Sequence, residues 1–369
     1  MQSLLAIDLP LGKALARALL DCVSKEQAFC VLDQRLSPRR REEDLALLGA
    51  TSVLTSEGIQ VIAGGREVEN GTGLVMLTSG SSGTPKAAVH TWDALRASAR
   101  ITQATLRRIE PPVWYPCLPA SHIGGLAVLL RAMLSDASLV WGDADDLTSG
   151  PSKGATHIAV VRTQLARHDL SGYKTVLLGG ARPPDGVPAN VVTTWGMTET
   201  GSGIVYDGFA LPEVQLSVLD GEVIVKTPTL FSAYRDAPRP SVTGPDATSD
   251  WFPTGDAGEI NDGKLSIHGR IGFVINTGGE KLWPEDLESV LSTLDGITDV
   301  AVTGVEDPEW GQRVVALVVS NGQKLDDAIT NIAAEQIGPW AKPKEIRYVA
   351  AIPRTANGKI RRSELTFLH

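Results

Sequence analysis

The chain has 369 residues, 43% of them hydrophobic and 21% charged, with a formal net charge of −9, the balance of a globular protein long enough for two or three domains. The acidic charge argues against nucleic acid or an anionic membrane as the main partner. The three cysteines, Cys22, Cys30 and Cys117, have irregular spacing that gives neither a disulfide framework nor a zinc pattern, so a reducing cytoplasm is expected.

The N-terminal stretch lacks the marks of a signal peptide, and no apolar run is long enough to span a bilayer. Residues 13–20 predict an amphipathic helix, and "IQVI" (59–62) and "LVML" (74–77) predict strands. A glycine- and serine-rich loop follows, then "KAAVHT" as a returning strand and a helix from Asp93. "GGLAVLLRAMLSDASLVW" reads as a buried helix and a strand, and "THIAVV", "TQLARHDL" and "TVLLGG" as strand, helix and strand, the signature of α/β layers. Short alternating strands are expected from Val214 to Val225, and a proline-rich exposed loop from Arg235 to Asp250. Beyond Gly269 the helix "WPEDLESVLSTL" and the strands "DVAVTGV" and "RVVALVVS" predict a small α+β unit.

The loop "TSGSSGTPK" (78–86) poses the functional question. A plain surface linker is common in such composition. Here the loop is short, is held between apolar strands and ends in Pro85-Lys86. Glycines let backbone N–H groups approach an anion, hydroxyls add donors, and a lysine adds a point charge. A phosphate cradle follows. Ala87 after the lysine excludes a Walker A loop.

"TSGSSGTPK" resembles the phosphate-binding signature of the adenylate-forming superfamily, which includes acyl-CoA synthetases, peptide-synthetase adenylation domains and luciferases. In the same order come "WGMTET" (195–200), "TGD" (254–256), "GRIGFVINTGGEKLWPEDLE" (269–288) and "PRTANGKIRR" (353–362), each similar to a motif of that family. The resemblance implies an α/β protein. Its large N-terminal layered domain would be shortened at its start and span residues 1–270. A small mobile α+β domain, 273–369, would carry a catalytic lysine, with a hinge near Gly272. The implied reaction joins a carboxylic acid to ATP, releases pyrophosphate and passes the acyl group to a thiol.

On that resemblance Thr78, Ser79, Gly80, Ser81, Ser82, Gly83, Thr84 and Lys86 hold the β- and γ-phosphates. Thr198 lies near the α-phosphate, and Glu199 helps hold Mg²⁺, a hard cation that prefers oxygen. Trp195 stands where the family usually has Tyr and covers adenine, beside Gly179, Gly180 and Ala181. Asp256 accepts from the ribose hydroxyls, Arg270 is a second ribose or phosphate contact, and Lys359 is the catalytic cation. His122, in "PASHIGGL", falls between the acyl pocket and the thiol tunnel. A hydrolase triad of Ser82, His122 and Asp256 is rejected, because no Gly-x-Ser-x-Gly elbow is present.

The chain also resembles the compact o-succinylbenzoate–CoA ligases of menaquinone synthesis. "CLPASHIGGLAVLLRAML", "VVRTQLARHDL" and "WGMTETGSG" resemble them, although Arg162 replaces their usual proline. The implied substrates are that diacid, ATP and coenzyme A. His122, Thr200, Ser202 and Gly203 would line the acid site, with Arg162 and Arg182 as candidate cations for the second carboxylate. A CoA ligase for another aromatic or short acyl acid stays open, as does an adenylation domain loading a carrier protein. A non-catalytic nucleotide-binding relative would lack Lys86, Glu199 or Lys359, and all three are present.

Overall fold

The computed structural model describes residues 1–78, 85–106, 110–143, 145–184, 186–354 and 359–365. The chain divides into two compact units, Met1–Ser217 with Val225–Phe252, and Val218–Ile224 with Pro253–His369. The class is α/β.

The first unit opens with β1 (Leu5–Ile7), α1 (Lys13–Lys25), β2 (Phe29–Val31), α2 (Pro38–Leu48), β3 (Ser52–Thr55) and β4 (Gly58–Val61). In α1, Leu15, Ala18, Leu19 and Cys22 recur at helical spacing and are buried, so one apolar stripe faces the core. The helix runs five residues past the predicted Leu20 and stops at Glu26, whose φ is 49°. In α2, Ser37 Oγ accepts from Arg40 N at 3.3 Å, and Pro38 opens the first turn, where its missing N–H costs nothing.

Next come β5 (Thr72–Thr78), β6 (Lys86–Thr91), α3 (Trp92–Leu106), β7 (Val113–Tyr115), α4 (Ile123–Leu134) and β8 (Ser138–Leu139). β9 (His157–Val161), α5 (Arg162–Arg167), β10 (Thr175–Gly179), β11 (Val191–Met197) and β12 (Ser202–Tyr206) follow. β6, β5, β2, β1, β3 and β4 are successive neighbours in a mixed sheet, extended beyond β6 by the short strands Ala233–Tyr234 and Ala237–Pro238. The second of these lies inside the segment expected to be loop. β12, β11, β10, β9, β7 and β8 lie side by side in a second sheet, parallel except for the β11–β12 pair. Parallel strands are buried on both faces, which explains the near-continuous apolar runs "THIAVV" and "TVLLGG". Arg162 occupies the first position of α5, a place suited to proline without requiring it. The turn is held by Val161 N donating to Gln164 Oε1 at 3.1 Å.

In the second unit the strands Phe252–Asn261 and Lys264–Arg270 form a hairpin. Its two-residue turn, Asp262-Gly263, has φ of 51° and 77°, the Asp-Gly pair that such a tight turn demands. A five-stranded sheet is built from Ile275–Thr277, Glu280–Leu282, Ile297–Asp307, Gly311–Ser320 and Glu345–Tyr348. The two long strands, Ile297–Asp307 and Gly311–Ser320, are buried on both faces along their middles. Val300, Val302, Val314, Ala316 and Val318 pack with α6 (Pro284–Leu291) and α7 (Asp326–Gln336) through Leu287, Leu291, Ile329 and Ala333. Ala301, Val315 and Leu317 pack on the other side with Ile352 and Leu365.

Candidate functional site

The phosphate-loop candidates Ser79, Gly80, Ser81, Ser82, Gly83 and Thr84 lie outside the described residues. The two ends of the loop are described. Thr78 closes β5, Lys86 opens β6, and the two are cross-strand partners in the antiparallel ladder. The ladder therefore fixes where the loop leaves and returns. Lys86 is exposed, and its Nζ lies 5.1 Å from the ring centroid of Tyr234.

β11 delivers Trp195, half-buried and paired with Val205 of β12. The register slips between Trp195 and Gly196. A Cβ on Gly196 would sit 2.2 Å from the Ser202 carbonyl oxygen, so only glycine lets the strands close there. The tight turn Thr198–Thr200 follows. It ends at Gly201, whose φ of 68° is left-handed and whose N–H donates to Thr198 O at 3.0 Å. Thr200 Oγ1 accepts from Met197 N at 2.9 Å and lies 2.8 Å from Ser202 O. Its hydroxyl thus serves the turn itself. Ser202 Oγ lies 2.8 Å from Ser98 Oγ of α3, and Gly203 is half-buried in β12. Gly179 ends β10, while Gly180 and Ala181 just after it are exposed.

Glu199 is 7% exposed. Tyr234 Oη donates to its Oε1 at 3.0 Å, and Phe231 N donates to its backbone carbonyl at 2.8 Å. Among the described residues no cation pairs with this carboxylate. Burying an acid beside no base is costly unless a cation arrives. A magnesium ion is typically held by one or two carboxylates together with substrate phosphates, and a buried glutamate with no basic partner among the described residues fits that donor set. No cluster of three or more acidic, histidine or cysteine side chains exists among the described residues to form an all-protein metal cage.

Behind the turn, His90 of β6 is fully buried, with its ring 6.3 Å from Phe231. Among the described residues no side chain hydrogen-bonds either ring nitrogen, and the Thr198 backbone interacts with the ring. Burial pushes its pKa from 6.5 down to about 4. Between those values the unfolded chain binds a proton that the folded chain refuses, so stability falls as pH drops from about 6.5 toward about 4. The loss expected from this one group is on the order of 3 kcal/mol. Denaturant unfolding across that range should show a shallower pH slope in His90→Gln than in the parent; equal slopes would contradict the assignment.

His122 caps the start of α4 in an extended conformation. Its Nε2 is 3.0 Å from Arg35 Nη2 and 3.4 Å from Asp33 Oδ2. Burial alone would raise the Asp33 carboxyl, but hydrogen bonds from Arg35 and His122 outweigh it and hold Asp33 well below the usual carboxylate range. No sequence pattern links this trio, because Asp33 and Arg35 follow β2, far from His122 along the chain.

Arg131 was also missed. It is 4% exposed in the otherwise apolar α4. Its guanidinium carbon lies 5.3 Å from the Trp114 ring centroid, and its Nε has no hydrogen-bond partner. No acidic side chain pairs with it among the described residues, and burial pulls its pKa below the ordinary arginine value. Arg162 and Arg182, the candidate cations from sequence, are exposed. A single charge inside an apolar helical run was the available signal.

In the second unit Asp256 is buried, and its Oδ1 pairs with Arg270 Nε at 2.9 Å, the two being cross-strand partners. Arg270 Nη1 also donates to Thr254 O at 2.6 Å. Lys359 is exposed. Residues 355–358 before it lie outside the described residues. On its C-terminal side Ile360 bridges to Arg354, and Arg362 is anchored in a half-buried ionic cluster. Arg362 Nη1 donates to Glu288 Oε1 and to Val302 O, both at 2.8 Å, while Nη2 reaches Glu285 Oε1 at 2.9 Å. Burial raises the Glu288 carboxyl against the pull of Arg362. The segment bearing Lys359 is thereby fastened to α6.

The three cysteines are buried and unpaired, and burial pushes their thiols up to about 11 for Cys22 and about 12 for Cys30 and Cys117, so none is poised as a thiolate nucleophile. No helix among the described residues is long and apolar enough to cross a membrane.

The family model for AMP-binding enzymes matches residues 66–235, and that for the AMP-binding enzyme C-terminal domain matches residues 286–359. A probable 2-succinylbenzoate–CoA ligase of Mycobacterium tuberculosis is 34% identical over 332 residues, covering 82% of this chain and 85% of its own. The o-succinylbenzoate coenzyme A synthetase of Bacillus subtilis, solved with ATP and a magnesium ion, has a TM-score of 0.86 at 25% identity over 99% of this chain and 89% of its own. The same synthetase, solved with its acyl-adenylate intermediate, has a TM-score of 0.84 at 25% identity over 98% and 88%.

Proposed function

Because this chain belongs to the AMP-binding enzyme family, we propose that it is the ligase that converts o-succinylbenzoate to o-succinylbenzoyl-CoA. The reaction is AMP-forming acyl-CoA ligation. A substrate carboxylate oxygen attacks the α-phosphorus of ATP, and pyrophosphate leaves. The sulfur of coenzyme A then attacks the acyl carbon, the thioester forms, and AMP departs.

In our reading the residues divide the work as follows. The loop from Thr78 to Lys86 binds the β- and γ-phosphates, Thr198 the α-phosphate, and Trp195 with Gly179, Gly180 and Ala181 the adenine. Asp256 and Arg270 take the ribose, and Lys359 stabilises charge during adenylation. Glu199 holds Mg²⁺, which supplies positive charge to the phosphates. His122 lines the path between acid and thiol, beside Ser202 and Gly203. Nucleic acid has no part in this reaction, and a cytoplasmic setting fits three unpaired cysteines.

Arg131 carries the choice of acid. A buried guanidinium without a counter-ion is costly, and a diacid brings one. One carboxylate is activated and the other must be neutralised. Incubation with ATP, Mg²⁺, coenzyme A and o-succinylbenzoate should give the CoA thioester by mass spectrometry. Thioester formation with an aromatic monoacid alone, or acyl transfer only to a carrier protein, would overturn the assignment.

We place the hinge near Gly272, between residues 1–270 and 273–369. Gly272 is exposed in the short turn Ile271–Phe273, and a Cβ there would meet nothing within 4 Å. Alanine should therefore be tolerated, whereas Gly272→Pro fixes φ and should slow thioester formation more than adenylation, since the second step needs the small domain to turn. Single-turnover rates for each half-reaction decide this; an unchanged second step in the proline variant moves the pivot elsewhere.

A further inference from the structure

We propose that Tyr234 is a positioning residue that orients the Glu199 carboxylate for the magnesium ion with its hydroxyl and sets the Lys86 ammonium with its ring. The inference rests on the roles given above to Glu199 and Lys86. Tyr234 belongs to none of the motifs in the sequence, and its part follows from geometry alone.

The strand Ala233–Tyr234 pairs with β6, Tyr234 opposite Ala88 and Ala233 opposite Val89. That pairing sets Tyr234 near the start of β6, where Lys86 emerges. The Tyr234 hydroxyl donates to Glu199 Oε1 at 3.0 Å, and Lys86 Nζ lies over its ring at 5.1 Å. Phe231, three residues earlier, donates its N–H to the Glu199 carbonyl at 2.8 Å and packs its ring 4.8 Å from that of Tyr234. One short segment thus grips Glu199 at main chain and side chain and also touches the lysine.

A phenol bonded to one carboxylate oxygen fixes the plane of the group, and among the described residues nothing else hydrogen-bonds that carboxylate. Groups that orient a metal-binding carboxylate typically change metal affinity by about 10–100-fold when removed. The ring has a separate task. A lysine ammonium rides on a flexible stem, and the negative face of an aromatic ring restrains it. Hydroxyl and ring should therefore be separable by substitution.

The test uses the full chain with Tyr234→Phe, Tyr234→Leu and, as reference, Glu199→Gln. Mn²⁺ binding in the presence of ATP is followed by the electron paramagnetic resonance of free Mn²⁺, and ATP binding is measured separately without divalent cation. Tyr234→Phe should weaken Mn²⁺ binding about tenfold or more, and raise the Mg²⁺ concentration for half-maximal activity in proportion, while metal-free ATP affinity stays at the parent value. Tyr234→Leu should weaken metal-free ATP binding as well. The phenylalanine variant removes one oxygen atom, so its arm stands even if the leucine variant fails to fold. Parental Mn²⁺ affinity in Tyr234→Phe, with weakened binding in Glu199→Gln, overturns this inference and leaves the role of Glu199 standing. Parental affinity in Glu199→Gln overturns both.

Discussion

Replacing Lys359 with alanine is expected to lower acyl-adenylate formation by about 10²–10³-fold, while a supplied acyl-adenylate still reacts with coenzyme A at nearly the parent rate. In the first step a carboxylate approaches a phosphate, and negative charge accumulates between them. A lysine delivered at that moment stabilises the transition state more than the separated reactants, which is what raises a rate. In the second step the pyrophosphate has gone and a sulfur attacks an uncharged acyl carbon. The same charge then has little left to do. The segment that bears Lys359 is suited to such delivery. It is exposed at the lysine and fastened three residues later, where Arg362 binds Glu285 and Glu288 at 2.8–3.0 Å. Pyrophosphate exchange measures the first step, and single turnover of synthetic acyl-adenylate measures the second. Equal losses in both would refute the division of labour.

Replacing Arg131 with leucine is expected to abolish the preference for a diacid. The parent enzyme should favour o-succinylbenzoate, by kcat/KM, on the order of 10⁴-fold over an analogue with the same ring and ketone and only one carboxylate, because the monoacid leaves a buried cation unpaired. In the leucine variant the diacid would instead bring an unpaired charge into an apolar site, at a cost of about 2–5 kcal/mol. Most of the preference should vanish, through KM for the diacid rather than through the chemistry at the other carboxylate. Removing an uncompensated buried charge should not lower the folding stability of the free enzyme, so thermal unfolding of the unliganded variant is a control. A preference that survives in Arg131→Leu would assign the second carboxylate to another group.

The elements were legible where a period runs unbroken. The stripe of α1 and the apolar runs of β9 and β10 follow directly from side-chain spacing. The candidate motif residues could be picked out because "WGMTET" and "TSGSSGTPK" are contiguous stretches of a few adjacent positions. What escaped was what the fold gathers from a distance. Tyr234 meets Glu199 across 35 positions, and Arg35 meets His122 across 87, separations at which a single sequence carries no pattern. Arg131 escaped for another reason. In "IGGLAVLLRAML" the apolar run announces a buried helix, and the physical oddity of one charge inside it has meaning only once its burial is known. Thr200 and Ser202 are expected from sequence to line the acid site, yet their hydroxyls also hold the turn and the contact with Ser98, bonds that depend on the backbone folding back on itself.

Activation of o-succinylbenzoate as an adenylate is the step on which the proposed function depends. The most direct measurement is isotope exchange between pyrophosphate and ATP with Mg²⁺, without coenzyme A, for o-succinylbenzoate and its monoacid analogues. Rapid exchange is expected that depends on o-succinylbenzoate and is nearly absent with the monoacids. Exchange of comparable rate with a monoacid, or none with o-succinylbenzoate, would contradict the proposed function.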